Sequence, residues 1–145
     1  MKKLKKQTLT IYRVETDTGL ILPFVDEGIK AGFPSPAQDY IHAGIDLNKE
    51  LIKDKASTFL AKADGDSLNG SIQDGDLMII DRSLSPRNGQ RVVVFIDGEF
   101  TAKILKIEKD VVFLVPDNPD FPVLKINPDQ DFRIWGVITY IIRKM

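Results

Sequence analysis

From Ser57 to the C-terminus, apolar residues come in short runs rather than in long amphipathic stretches. Thr58 to Ala63, Leu77 to Asp81, Arg91 to Ile96, Phe100 to Ile107, Val111 to Pro116, Val123 to Ile126 and Arg133 to Ile142 are rich in branched or aromatic residues. Gly, Pro, Asp and Asn separate them, the pattern of a mainly β, mostly antiparallel domain. The strongest local signal is Val92 to Ile96, then Asp97-Gly98, then Glu99 to Ile107. A two-residue Asp-Gly loop suits the positive φ angles of a type I′ hairpin turn. Upstream the period changes: Ala37, Tyr40, Ile41, Ile45, Leu47, Leu51 and Ile52 recur at spacings near three and four, and Gly44 and Asp46 interrupt them. This predicts two short helices within residues 37–53. In residues 1–36, Gly19, Pro23, Gly28, Gly32, Pro34 and Pro36 leave room only for short extended pieces, such as Leu9 to Val14 and Leu20 to Val25.

Composition narrows the classes of function. With 145 residues, 43% hydrophobic and 28% charged, the chain suits one packed domain plus an arm. Lys and Arg total 20 against 21 Asp and Glu, so no net positive field favours direct binding of a nucleic-acid backbone. Lys2, Lys3, Lys5 and Lys6 read as a solvated tail. The polar residues Gln7, Thr8, Tyr12, Arg13 and Glu15 that follow argue against a signal peptide. No 18-residue apolar run occurs, and the expectation is a cytoplasmic protein without membrane association. Cysteine is absent, which removes disulfides, thiol nucleophiles and thiolate metal sites. The single histidine, His42, lies in a helix-like stretch with no Ser or Asp constellation around it and reads as a surface residue. Neither a catalytic triad nor a zinc site is expected from it.

Three segments carry chemistry together, although each alone has a bland explanation. The stretch Lys62-Ala63-Asp64-Gly65-Asp66-Ser67-Leu68-Asn69-Gly70 runs from a strand into a polar turn that presents Ser67. Most Gly-Asp-Ser turns merely satisfy their own backbone. Lys103 stands in mid-strand, sharing a face with Thr101, Leu105 and Ile107 while Phe100, Ala102 and Ile104 line the other. Both faces are apolar, so Lys103 must snorkel, as Lys106 nearer the strand end can, or be buried. Burial penalises the ammonium form and would let the amine accept a serine proton near neutral pH. The plainer role for such a lysine is to guard an edge strand against aggregation. In Lys30-Ala31-Gly32-Phe33-Pro34-Ser35-Pro36, the prolines bias Phe33 and Ser35 toward extended geometry, and Ala31 and Gly32 leave their shared carbonyl uncrowded.

In register, Ala31-Gly32-Phe33-Pro34-Ser35-Pro36-Ala37, Asp46-Leu47-Asn48, Gly65-Asp66-Ser67, Asp74-Gly75-Asp76-Leu77, Asp97-Gly98-Glu99-Phe100-Thr101-Ala102-Lys103 and Trp135-Gly136-Val137-Ile138 resemble the LexA, UmuD and phage-repressor family of self-cleaving serine-lysine proteases. The likeness covers about residues 30–145. It implies curled antiparallel sheets, a Ser67 and Lys103 dyad, cleavage of Ala31-Gly32, and a homodimer. It further implies an arm of residues 1–31 removed from a peptidase domain of residues 32–145. As partners it implies a RecA filament on single-stranded DNA, which stimulates the cut, and an error-prone, UmuC-like Y-family polymerase subunit, which the processed dimer joins for translesion synthesis. No metal or organic cofactor is implied. Leu68 follows the nucleophile where the family commonly has Met, Leu68 to Ile72 is a residue shorter than the family's pattern, and the arm before Lys30 shows little likeness. The competing readings are a noncatalytic polymerase or RecA interaction module, and a fragment of a LexA-like repressor; against the latter, the arm has no helix-turn-helix periodicity.

Overall fold

The computed structural model describes residues 8–14, 21–22, 45–64 and 71–145. The strands, in chain order, are β1 (Thr8–Arg13), β2 (Ile21–Leu22), β3 (Ile45–Asp46), β4 (Thr58–Asp64) and β5 (Leu77–Asp81). They continue as β6 (Arg91–Ile96), β7 (Glu99–Glu108), β8 (Val111–Val115), β9 (Leu124–Lys125) and β10 (Phe132–Ile142). A single helix is described, α1 (Leu47–Leu51). The chain divides into two compact units, one within residues 15–55 and one combining the N-terminal segment through Val14 with residues 56–145.

In the smaller unit, β2 and β3 pair antiparallel and α1 follows directly. The break at Asp46 is a helix start: its Oδ1 accepts the Asn48 N–H at 2.9 Å, satisfying a donor that has no intrahelical partner. Ile45, expected to be helical, is instead in a strand paired with Leu22. The helix ends at Leu51, short of the expected boundary, and Ile52 is already extended. Residues 37–44, where the other helix was expected, lie outside the described residues.

The larger unit holds one antiparallel eight-stranded sheet, ordered β1-β4-β5-β10-β6-β7-β8-β9. The strand readings hold to within a residue or two. The run at Val111 stops before Pro116, which has no N–H to give, and the run at Val123 shrinks to Leu124–Lys125. The Asp97-Gly98 turn has φ of 49° and 83°, the two positive values that a type I′ hairpin needs.

The sheet is buried on both faces at its centre. Ala61, Ala63, Ile72, Met78, Ile80, Val93 and Ala102 form one core, flanked by Leu9, Ile11, Phe100 and Trp135. Val92, Val94, Ile96, Leu105, Leu114 and Val137 form the other. The consecutive Val92, Val93 and Val94 are all 0% exposed, as expected for a strand covered on both sides. Strand β7 changes partner along its length: Glu99 to Ile104 pair with β6, and Ile104 to Glu108 pair with β8. Strand β10 shifts register near Trp135 against β6 and near Thr139 against β5. Such irregularities bend and twist a strand.

Candidate functional site

Strand β4 delivers the chain at Asp64 to the segment that carries Ser67, and the described chain resumes at Ser71. Ser67, Ala31, Gly32 and His42 lie outside the described residues. What is described is the far anchor of the serine segment. Asp76 is 1% exposed, and Arg143 near the chain end donates from Nε to its Oδ1 at 2.7 Å and from a terminal nitrogen to its Oδ2 at 2.6 Å. The Gln73 N–H donates to Oδ2 at 2.7 Å. The hydrogen bond from Arg143 is the main reason that the Asp76 carboxyl stays below its usual range, against the opposing effect of burial. Arg143 also donates to the Ser71 carbonyl at 2.8 Å. The Gly75 N–H bonds to the Ala63 carbonyl at 2.7 Å, and the Ala63 N–H bonds to the Asp76 carbonyl at 2.9 Å. The two ends of the serine segment are thereby tied to each other.

A second set of bonds holds Ser71 from the side. Arg91 donates from Nε to Ser71 Oγ at 2.7 Å, and that hydroxyl donates to Asp117 Oδ2 at 2.7 Å. Arg91 also faces Asp117 Oδ1 at 3.4 Å, where the Asp117 side chain is only 10% exposed. Asp117 opens a tight turn in which Asn118 Oδ1 accepts the Asp120 N–H at 2.9 Å and the Asn118 carbonyl accepts the Phe121 N–H at 3.1 Å.

That turn brings Phe121 to Lys103, whose Nζ lies 5.9 Å from the ring centroid. Lys103 is half-buried in β7, with Val92 opposite it on β6. Its neighbour two residues on, Leu105, packs with Val92 and Val94, while Ala102 packs with Val93 on the other face. The predicted alternation is therefore present, except that Ile107 is exposed, because β7 has by then run beyond its pairing with β6. Desolvation pushes the Lys103 ammonium below the usual lysine range, and the Asp117 carboxylate partly offsets this. Lys106 instead reaches water and pairs with Glu108 at 3.2 Å, the snorkelling behaviour expected of it.

Arg91, Asp117, Phe121 and Arg143 were not foreseen as site residues. Asp76 was noted only within a matching motif. No local pattern distinguishes Arg143 from an ordinary terminal cation, since its role depends on β10 lying beside β5. Among the described residues, no three His, Cys, Asp or Glu side chains converge as a metal site would require. None of the described helices is long and apolar enough to cross a membrane.

Residues 23–139 match the profile of a family described as peptidase S24-like. Protein ImpA of Salmonella typhimurium is 38% identical over 130 residues, covering 88% of each chain. Protein MucA of Escherichia coli is 40% identical over 121 residues, 82% of each. A LexA repressor of Xylella fastidiosa is 35% identical over 144 residues, which is 99% of this chain and 67% of that one. A half-buried lysine on an antiparallel β scaffold and a match across most of the sequence agree with one another: the chain belongs to the peptidase S24-like family.

Proposed function

We propose that this protein is a serine peptidase that cuts its own Ala31-Gly32 bond, with Ser67 as nucleophile and Lys103 as general base. The observation that carries the reading is Lys103, held in mid-strand where desolvation disfavours its charged form, in a chain of the peptidase S24-like family. A neutral Lys103 removes the Ser67 proton as Oγ attacks the Ala31 carbonyl. Backbone N–H groups beside Ser67, its own first among them, hold the developing oxyanion. Protonated Lys103 then returns the proton to the Gly32 amine, and water releases the acyl group from Ser67. The family resemblance supports the wider setting: a cytoplasmic homodimer of the SOS response, cut on contact with RecA filaments on single-stranded DNA. The processed chain, residues 32–145, would serve an error-prone polymerase subunit during translesion synthesis.

Incubating purified protein with and without activated RecA, and following products by mass spectrometry, tests the reading. The expected product begins at Gly32, and Ser67→Ala and Lys103→Ala each abolish it, because the two side chains act as one unit. Normal cutting by Lys103→Ala would reassign the base. Absence of the fragment under every condition would favour a noncatalytic interaction module.

A further inference from the structure

Strand β1 lies before the proposed cut in sequence, yet it is an edge strand of the main sheet. It pairs with β4 in antiparallel register from Thr8 opposite Asp64 to Arg13 opposite Phe59. The side chains across this pairing are complementary in size. Leu9 stands opposite Ala63 and Ile11 opposite Ala61; both alanines are 0% exposed, and Leu9 and Ile11 pack on the core that contains them. One pair further along, the Arg13 guanidinium lies 5.5 Å from the centre of the Phe59 ring, which in turn packs 5.0 Å from Trp135. On this face β4 offers two small residues and then a ring, so it fits a strand carrying two bulky apolar side chains and then a cation at alternate positions. Backbone bonds along a sheet edge supply affinity, and alternate side chains supply selectivity.

We propose that the β4 edge is a strand-accepting site that β1 occupies in the intact chain, and that an extended segment of a partner protein, patterned apolar-x-apolar-x-Arg, occupies it after the cut. This rests on the proposed cleavage at Ala31-Gly32. Before the cut, β1 and β4 belong to one chain, and covalent linkage gives an effective concentration on the order of millimolar. After it, β1 is a separate peptide, and at micromolar protein its occupancy falls with dilution. A vacated edge then exposes unpaired N–H and C=O groups together with Ala61 and Ala63, a surface that recruits a replacement strand.

The probe is a fluorescent peptide with the sequence from Thr8 to Val14, followed by anisotropy and by the emission of Trp135. Intact Ser67→Ala protein should bind it at least about tenfold more weakly than processed protein freed of its arm by gel filtration, and alanines at Leu9 and Ile11 of the peptide should cost about tenfold or more. A second arm does not need the cut: intact Ser67→Ala protein that also carries Ile11→Asp, or the milder Leu9→Ala should the first unfold, has a weakened β1 and should admit the peptide. Failure to find a Gly32 fragment would refute the proposed function, and this second arm would still decide the strand site. Equal binding by the intact protein, or no binding by either opened form, overturns the inference. So does an arm that survives gel filtration and never exchanges. If a second copy's β1 takes the edge, excluding the peptide and doubling the mass of the opened form, the site is not a partner site.

Discussion

Replacing Gly136 by Ala places a methyl group where the structure has no room for one. A Cβ at Gly136 would sit 2.5 Å from Ile80 Cγ2, 3.3 Å from Arg82 Cγ and 3.5 Å from the Asp81 carbonyl oxygen. Carbon atoms pack best about 3.5 to 4.0 Å apart, so about 1 Å of movement must come from somewhere. Ile80 cannot supply it freely, being 0% exposed and central to its core. Nor can β10, whose register shift between Ile134 and Gly136 is set by its pairing with β6. Overpacking of this kind costs about 1 to 3 kcal/mol, and the entropy that Ala removes from the unfolded chain returns at most about 1 kcal/mol. A net loss of about 1 to 2 kcal/mol follows. Urea unfolding at fixed protein concentration, read by Trp135 next to the substitution, measures it, and the slope should be unchanged. Ile80→Ala alone should cost about 2 to 5 kcal/mol through its cavity. Combined with Gly136→Ala it should cost less than the sum by about 1 kcal/mol or more, because the two changes occupy the same space. A neutral Gly136→Ala, or strict additivity in the double variant, would refute the close-approach explanation.

In the proposed mechanism only the neutral Lys103 is active, so self-cleavage should accelerate as pH rises from neutrality. Because desolvation lowers its pKa below 10.5, the rise should level off before that value, and a pH-independent rate of Gly32 fragment formation would remove Lys103 as the base. Asp117→Asn should move that profile to lower pH, as the carboxylate that favours the ammonium form is gone; an unmoved profile with a slower rate would show that Asp117 acts only by holding Ser71. Arg143→Ala should destabilise the protein most at neutral pH. The Asp76 carboxyl is held below 3.8, so its contribution is present above that value and disappears as pH falls through the lowered one; a deficit that persisted unchanged in acid would exclude this pair as its cause.

The strands were legible because a half-buried or doubly covered strand writes its burial into nearby residues. The Asp97-Gly98 turn needs positive φ at two successive positions, which few dipeptides tolerate. The start of α1 was legible at Asp46 for the same reason, as an N-cap is a local bond between a side chain and the backbone two residues on. The helical reading of Ile45 failed because a spacing of three or four cannot exclude a strand whose partner, Ile21–Leu22, lies in a distant part of the chain. Lys103 drew attention as a charge amid apolar neighbours, which is again local information.

Local sequence could not say what surrounds that charge. Phe121 and Asp117 reach Lys103 through a turn beyond β8, Arg91 comes from the preceding strand, and Arg143 closes on Asp76 from 67 positions away. Nor could it say that β1, in a segment that reads as an arm, would complete the sheet at β4, because Leu9 and Ile11 acquire meaning only against Ala63 and Ala61. Short-range periodicity, turn chemistry and the residue types of the proposed dyad were determined by the sequence alone, since each depends on neighbours within a few positions. Proton affinity, bracing and strand order were decided by the tertiary structure, since each depends on desolvation and contacts between residues that only folding brings together.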